Sequence, residues 1–486
     1  MAGTNQSTTQ YCTDVQYMTK NEMRRFLKTN LIDFQWNETL GYRKKNAVFL
    51  DLRDINNRPL SLTKTQAINE KVERCFDLIN ELQEKVEEIS QDKDIYSTAK
   101  KQIYSSFLRK ACAYENVALS ESYLTVMFTD VYQCSDPKEQ PIKGYLDLLN
   151  ELESNPGSAL DEDYLAHLLE TLEGTDELTS FYRESDRKNR YAVTAYETYD
   201  CCPVALIESK VSSLFDNVRY GKLLSTPLKA LLLVYYIDYL KPFDAHNELI
   251  ASYLGKAYLA QNGMAKGASF LPFEELLTPN DRLADVCKSV QLDHDFTYFV
   301  CYAVERLAPM LENVAHELSL IYARHLQEEQ HRLGAAEAQA AKKEEPIEET
   351  SPEDMPIPVE PIVPKKEVKP KKESDVPLVT EEEMRNVSSG VAIFTPRPAL
   401  SDKEAKEVAR YILETHPNIR KAQANFYATH CTIGRYYTIQ DYKKATRCVY
   451  ETARTSMDNM AKEGFYKKLQ FKNKFVYSPI KQGEKQ

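Results

Sequence analysis

Two stretches with helical spacing of apolar residues bracket one polar segment in the middle of the chain. The first begins at Thr226 and Pro227 and continues from Leu228 to Tyr239, with apolar side chains on one face. Thr226 is a suitable helix cap, and Pro227 suits the first helical position. Apolar residues then recur from Leu249 to Tyr258, until the Asn262-Gly263 pair ends the pattern. The pattern predicts two buried helices joined by a short turn.

A second series of elements is predicted near the end of the chain. Ser401 with Glu404 forms a capping box at the start of the first helix. Helical spacing predicts helices over 401–414, 418–430, 438–446 and 450–464. Alternation predicts strands over 465–469 and 471–477, with a hairpin tip at Lys472-Asn473. The expected core of this small domain consists of Tyr442, Val449, Ala453, Met457 and Met460.

The composition changes between these two regions. Residues 327–398 are rich first in Ala, Glu and Lys and then in Pro, Glu and Lys. Such a composition cannot bury a core, so it predicts an extended tether, helical up to Ala341. From Ser401 to the end, the sequence contains 17 Lys and Arg residues and 9 Asp and Glu residues. A basic module therefore follows an acidic body in a chain whose net charge is -11.

Length and composition place the chain among multidomain proteins without a membrane segment. Its 486 residues correspond to about three domains. No apolar run approaches the roughly 18 residues that a membrane span needs, and the polar stretch from Met1 to Thr9 does not resemble a signal peptide. We therefore expect a cytoplasmic protein with no membrane contact. The ten cysteines lack the spacing of metal ligands and are expected to be reduced core thiols.

The segment between the two central helices, Lys241 to Ser252, resembles the Fic family signature H-P-F-x-[DE]-G-N-G-R-x-x-R. Pro242, Phe243 and Asn247 match it. The resemblance implies a loop between two helices whose histidine acts as general base on a target hydroxyl. It also implies that the loop and the next helix N-terminus hold the phosphates of ATP during AMP transfer.

The other signature positions are changed in ways that remove this chemistry. Lys241 stands at the histidine position, and a lysine of pKa about 10.4 is a cation without a lone pair at neutral pH. Ala245 stands at the signature position of the metal-binding acid, and its side chain has no oxygen that could bind magnesium. Asp244 lies one residue before that position. His246 and Glu248 replace the two glycines, which adds bulk and a negative charge to the phosphate cradle.

Both signature arginines are absent as well, because Leu249 and Ser252 stand at their positions. The ATP and magnesium of active relatives therefore have no binding groups here, and we expect no cofactor and no metal. His246 is expected to be a loop residue or a weak hydrogen-bond partner, and the less favoured alternative is that it replaces the missing base. Asn247 is expected to fix the loop backbone.

Further segments extend the resemblance over roughly 31–317. Ala111 to Asn116 is similar to the self-inhibitory helix [ST]-x-x-x-E-[GN] of the family, with Glu115 and Asn116 matching. In active relatives that glutamate pairs with the second signature arginine. Ser252 cannot form this pair, so we expect Glu115 to have lost its regulatory purpose. Phe181 to Arg183, followed by an alternating run over 191–198, resembles the family's flap hairpin.

The basic module resembles a winged helix-turn-helix domain, which often follows a Fic domain. The resemblance implies that the helix from Tyr450 is a recognition helix and that the hairpin is a wing. Candidates for DNA contact are Arg454, Thr455, Lys462, Lys467, Lys468, Lys472 and Lys474, with Arg454 best placed to reach a base. Glu451 and Asp458 lie on the same helix and oppose this interpretation, and such domains also bind proteins.

The predicted fold class is mainly α: a Fic-like helical bundle with a small β-hairpin flap, followed by a tethered winged-helix domain. The predicted regions are an N-terminal extension over 1–30, a helical region with the inhibitory-helix remnant over 31–140, the Fic-like core over 141–326, the linker over 327–398 and the winged helix-turn-helix domain over 399–486.

Three functional hypotheses follow from these features. The first is a Fic-like protein without catalytic activity that acts by binding, with a basic module that contacts DNA or a protein partner. The second is a divergent nucleotidyl or phosphoryl transferase that uses a desolvated Lys241 as base or nucleophile. The third is a scaffold or assembly subunit in which acidic body and basic tail bind each other or neighbouring copies.

Overall fold

The chain folds into a mainly α structure with small antiparallel sheets, as the sequence predicts. The computed structural model describes residues 7–129, 132, 134, 136–155, 159–175, 181–190, 198–343, 400, 402–432, 435–471 and 474–480. They form two compact units. Unit 1 comprises the described residues of Met1–Leu119 and Cys134–His325, and unit 2 those of Ser120–Gln133 and Leu326–Gln486.

Unit 1 contains most of the helices. They are α1 (Thr8–Gln10), α2 (Lys20–Leu27), α3 (Ile32–Lys45), α4 (Gln66–Ile89), α5 (Lys93–Tyr114), α7 (Gln140–Ser154), α8 (Glu162–Glu173), α9 (Ile207–Tyr220), α10 (Thr226–Leu240), α11 (Asn247–Leu259), α12 (Asp281–Asp293) and the start of α13 (Thr297–Lys343). Short 3-10 turns cover Pro137–Glu139, Val204–Leu206, Gly267–Phe270 and Phe273–Glu275, and π-type turns cover Tyr11–Val15 and Ala260–Met264.

Two antiparallel hairpins accompany these helices. Strands β1 (Ala47–Arg53) and β2 (Pro59–Thr63) pair in the register Ala47↔Thr63. Strands β3 (Lys188–Arg190) and β4 (Thr198–Asp200) pair in the register Lys188↔Asp200. The second hairpin lies where the sequence predicts the flap, although residues 191–197 of the predicted alternating run lie outside the described residues.

Local sequence signals explain where several helices begin and end. Asp92, Asp161 and Asn280 each accept a hydrogen bond from a backbone N–H in the first turn of α5, α8 and α12. Such caps contribute about 1 kcal/mol each. Helix α8 ends at Gly174, whose φ of 67° is the left-handed conformation that glycine adopts without a steric cost.

The central pair α10 and α11 forms the heart of unit 1. Helix α10 begins one residue earlier than predicted, because Ser225 holds the N-cap position and Thr226 is already helical. The prediction of one apolar face is also too narrow, since α10 is buried at Leu228 and throughout Ala230–Leu240. Its neighbour α11 approaches closely at Gly255, where an added Cβ would lie 2.7 Å from a methyl group of Val234. The two helices therefore pack as a buried hairpin.

The buried side chain of Arg43 binds the segment 12–18 near the start of the chain. Arg43 donates hydrogen bonds to the carbonyl oxygens of Cys12 (2.7 Å) and Met18 (2.9 Å) and to the hydroxyl of Tyr298 (2.8 Å). Its guanidinium also lies 3.8 Å from the ring centroid of Tyr17. These contacts attach residues 12–18 to α3 and α13.

Unit 2 contains α6 (Glu121–Val126), α14 (Asp402–Thr415), α15 (Lys421–Thr429), α16 (Ile439–Thr446) and α17 (Tyr450–Lys462), with strands β5 (Tyr437–Thr438), β6 (Tyr466–Phe471) and β7 (Lys474–Pro479). The strands form an antiparallel sheet in the order β5-β7-β6. The predicted helices and hairpin of this region are confirmed to within a few residues. The cap residue Ser401 and the predicted tip at Lys472 and Asn473 lie outside the described residues.

The prediction that Val449 belongs to the core of unit 2 is wrong. Tyr442, Ala453, Met457 and Met460 are buried, but Val449 is 69% exposed. It is the N-cap residue of α17, with extended backbone, so its side chain precedes the helical spacing that buries the others.

Two further observations concern the described parts of the chain. All ten cysteines are free thiols, and seven of them are buried. Within the ranges that the structure describes, no helix combines the length and the apolar character that crossing a membrane requires.

Candidate functional site

Residues Lys241 to His246 connect α10 to α11 inside unit 1, as the sequence predicts, and the signature segment continues to Ser252 within α11. Lys241 follows α10 as its C-cap residue with a φ of 46°, and His246 precedes α11 with a φ of 62°. Both are left-handed conformations that cost a non-glycine residue about 1–2 kcal/mol. His246 stands at a glycine position of the signature, so the backbone there keeps a conformation that glycine favours.

The ammonium group of Lys241 is enclosed by two carboxylates. Its Nζ donates to Oδ1 of Asp238, one turn earlier in α10, and to Oε1 of Glu248 in α11 at 2.7 Å. Lys241 is only 3% exposed. Burial disfavours the charged amine, but the attraction of the two carboxylates outweighs it and raises the pKa of Lys241 above its ordinary value. The residue at the histidine position is therefore a paired cation and not a base.

Glu248 places a carboxylate in the first turn of α11. Burial opposes its ionisation, but the neighbouring ammonium of Lys241 outweighs burial and lowers the pKa of Glu248. The N-terminus of a helix favours negative charge. A protein carboxylate thus lies where the signature implies phosphate.

The lowered pKa of Glu248 predicts a loss of stability in acid. A depressed carboxyl pKa contributes stability above its ordinary value of 4.5, and this contribution is lost as the pH falls through the lowered value. We expect Glu248→Gln to make the free energy of unfolding less dependent on pH below 4.5. Denaturant titrations between pH 7 and 3 measure this slope, with the exposed Glu84→Gln as control. An unchanged slope in Glu248→Gln would contradict the ion pair.

Asn247 fixes the backbone of the loop, which is the role that the sequence suggests for it. Its Oδ1 accepts from the N–H of Phe243 at 3.0 Å. Its Nδ2 donates to the carbonyl oxygens of Phe243 at 2.9 Å and Ala245 at 3.3 Å. The side chain is 2% exposed and is fully used by these internal bonds.

Two arginines outside the signature hold the loop carbonyls. The buried Arg183 donates through Nε to the carbonyl oxygen of Lys241 at 2.7 Å, and its backbone N–H donates to that of Pro242 at 2.9 Å. Arg187 donates to the carbonyl oxygens of Phe243 (2.9 Å) and Asp244 (3.1 Å). Four consecutive carbonyl groups of the loop are therefore bound by the segment that precedes β3.

The remaining signature residues lie as their chemistry suggests. Phe243 is buried with ring centroids 5.9 Å from Phe181 and 6.1 Å from Tyr182. Asp244 and Ala245 are both exposed. Among the described residues, no group of three or more His, Cys, Asp or Glu side chains is arranged to hold a metal ion.

Glu115 has a partner in the loop that the sequence does not reveal. It is the C-cap of α5, and its Oε2 lies 2.8 Å from Nδ1 of His246. This ring nitrogen makes no hydrogen bond in the structure, so the contact is a close approach of the Glu115 carboxyl group and the imidazole. Asn116 follows with a φ of 54°. The matched glutamate thus still contacts the loop, but through His246 and without an arginine.

A second buried ion pair lies two turns along α11. Nζ of Lys256 donates to Oε1 of Glu274 at 2.5 Å, and both side chains are fully buried. Burial lowers the pKa of Lys256, and the carboxylate of Glu274 only partly opposes this. The hydroxyl of Tyr145 also donates to Oε1 of Glu274, at 2.6 Å. Between the two pairs lies Ser252, a fully buried residue at a signature arginine position.

The DNA-contact candidates of unit 2 differ in their surroundings. Arg454, Thr455, Lys462, Lys467 and Lys474 are exposed, whereas Lys472 lies outside the described residues. Lys468 donates to Oδ1 of Asp458 at 2.6 Å, so it neutralises an acid of α17. The sequence interpretation missed three further exposed cations around the turn between α16 and α17, namely Lys443, Lys444 and Arg447.

One cavity of unit 1 lies away from the loop. It is lined by Leu50, Asp51, Asn217, Gly221, Leu223 and Leu224. Its volume of about 10 Å³ holds roughly one water molecule, which is far below the hundreds of Å³ of a nucleotide pocket.

Comparison with known proteins finds similarity among solved structures, of which two are described here. No family model and no curated protein matches the chain. The chain is similar to a Fic family protein from Desulfovibrio desulfuricans G20, with 12% identity and a TM-score of 0.38, over 85% of this chain and 97% of that chain. It is also similar to a Fic domain containing signaling protein from Bacteroides thetaiotaomicron VPI-5482, with 16% identity and a TM-score of 0.37, over 50% of this chain and 98% of that chain.

Proposed function

We propose that this protein has a Fic-like body that has lost AMP transfer and acts by binding. The observation that carries the proposal is the enclosure of Lys241 by Asp238 and Glu248. A general base needs a lone pair, and a buried lysine with a raised pKa keeps its proton at neutral pH. The same ion pair holds a carboxylate at the first turn of α11, where a triphosphate would be repelled.

This arrangement also weighs against a transferase that uses Lys241. A lysine nucleophile requires a lowered pKa, and the neighbouring carboxylates raise it instead. We expect no labelled product when the purified protein is incubated with labelled ATP, magnesium and candidate protein acceptors. A labelled product that is formed by the wild type and lost in Lys241→Ala would overturn the proposal and support the transferase.

We further propose that residues 399–486 are a winged helix-turn-helix module whose basic surface contacts DNA. The order of helices, the three-stranded sheet and the exposed cations of α17 and the hairpin support this proposal. The pairing of Asp458 with Lys468 removes one of the two acids that oppose it. Glu451 remains exposed and lies 4.0 Å from Arg454.

DNA contact predicts a strong dependence of affinity on salt. Each phosphate contact releases counterions, so log K should fall linearly with log salt when the protein binds random duplex DNA. Replacing Arg454 or Lys462 by Ala should weaken binding and reduce the slope by about one. Lys403→Ala is the control, because it removes the same charge from the exposed face of α14. Fluorescence anisotropy from low to moderate salt measures all four proteins.

Absence of duplex binding at low salt would contradict the DNA proposal. The basic surface would then be available to a protein partner. Salt-dependent self-association in analytical ultracentrifugation, without DNA binding, would instead favour the scaffold hypothesis.

A further inference from the structure

Residues Ser120–Gln133, which we name the docking segment, belong to unit 2 although they lie between α5 and α7 in the chain. Helix α6 in this segment packs against α14 of the C-terminal module. Ser120 starts α6 by accepting a hydrogen bond from the N–H of Tyr123. A six-residue helix is too short to be stable alone, so its formation depends on what it packs against.

Aromatic contacts define the fit between the docking segment and α14. The ring of Tyr123 meets that of Tyr411 edge to face, with centroids 4.9 Å apart. Tyr132 contacts Tyr411 as well, at 6.3 Å. Tyr411 is 3% exposed. Edge-to-face pairs add about 0.5–1.5 kcal/mol beyond the area they bury.

The docking segment also carries the apolar side chains that a docking helix needs. Leu124, Val126 and Met127 are at most 3% exposed. Within α6 itself, Ser122, Leu124 and Val126 are buried. Burial of half the residues of so short a helix requires a surface that covers it.

We propose that the face of α14 around Tyr411 is a helix-docking surface whose ligand is the docking segment of this same chain. The C-terminal module is then held by noncovalent contacts with the described residues of the docking segment, in addition to its covalent connection through residues 344–398. The linker supplies a high effective concentration, and the docking segment supplies the contact. We therefore expect the C-terminal module to stay bound to the docking segment after the linker is cut.

The test uses the full chain with a site for a specific protease inserted within residues 344–398 and an affinity tag at the N-terminus. After complete cleavage, the C-terminal fragment is expected to stay with the tagged fragment through purification and gel filtration. Replacing both Tyr123 and Leu124 by Ala should release most of it. Thr125→Ala is the matched control in the same helix, because its hydroxyl bonds to the carbonyl oxygen of Glu121 within α6, and it should retain the fragment.

Two results would overturn the proposal. One is separation of the wild-type fragments as soon as the linker is cut, and the other is equal retention in the double variant and the wild type. Circular dichroism of the uncut proteins checks that the double variant is folded. If the double variant is not folded, the proposal is tested on the cleaved wild type instead. There an excess of a synthetic peptide of residues 119–134 must displace the fragment and a scrambled peptide must not; failure of displacement rejects the docking surface.

Discussion

Replacement of Lys241 by Met is expected to lower the free energy of unfolding by about 3–5 kcal/mol, the usual cost of breaking a buried ion pair by removing one partner. Asp238 is almost fully buried, and it would face Glu248 without the cation that joins them. Because the pKa of Lys241 is raised, its contribution is complete at neutral pH and is lost only above its ordinary value of 10.5. Urea denaturation at pH 7 measures the loss.

The same experiment contains its own controls. Lys222→Met removes an exposed lysine that precedes α10 and should change stability by less than about 0.5 kcal/mol. Adding Asp238→Asn to Lys241→Met removes the buried carboxylate that has lost Lys241 and should recover part of the loss. If Lys241→Met were as stable as the wild type, the ion pair could not be what organises the loop.

Lys256→Met is expected to lower the free energy of unfolding by at least as much, again about 3–5 kcal/mol. Glu274 would keep a fully buried carboxylate whose cation is gone, and the hydroxyl of Tyr145 would still donate to it. The two lysines differ in one respect. Lys241 has two carboxylates and a raised pKa, whereas burial lowers the pKa of Lys256 beside a single one.

This difference predicts how each pair responds to removal of both charges. Burial of Lys256 is only partly offset by Glu274, so the double variant Lys256→Met with Glu274→Gln should recover most of the stability lost in Lys256→Met. The amide oxygen that Glu274→Gln introduces would still accept the hydrogen bond of Tyr145. Thermal unfolding followed by circular dichroism compares the single and double variants. A double variant as unstable as Lys256→Met would contradict this account of the pair.

Local patterns in the sequence were sufficient to place the elements but not the contacts between them. The turn between α10 and α11 and the helices of the C-terminal module follow from apolar spacing and caps. The shift from Thr226 to Ser225 at the start of α10 is small, because either residue type can cap a helix. Helical spacing predicts a buried Val449 because spacing alone does not show where the helix begins, and the structure exposes this residue.

Long-range pairs had weaker signals in the sequence. Asp238 stands three residues before Lys241, a helical spacing that could have suggested their contact. No comparable signal joins Glu115 to His246, or Lys468 to Asp458, because these partners come from different elements. The grouping of residues 120–133 with unit 2 is of the same kind, since an apolar pattern does not state which surface will cover it.

We propose that the loop pairs its own charges and binds no nucleoside triphosphate. Calorimetric titration of the purified protein with ATP and magnesium tests it most directly, at low salt and at protein concentrations that detect weak binding. The account predicts no heat of binding above dilution. A saturable heat with a defined stoichiometry would contradict it, because Lys241 would then have to give up its contact with Glu248 in order to bind phosphate.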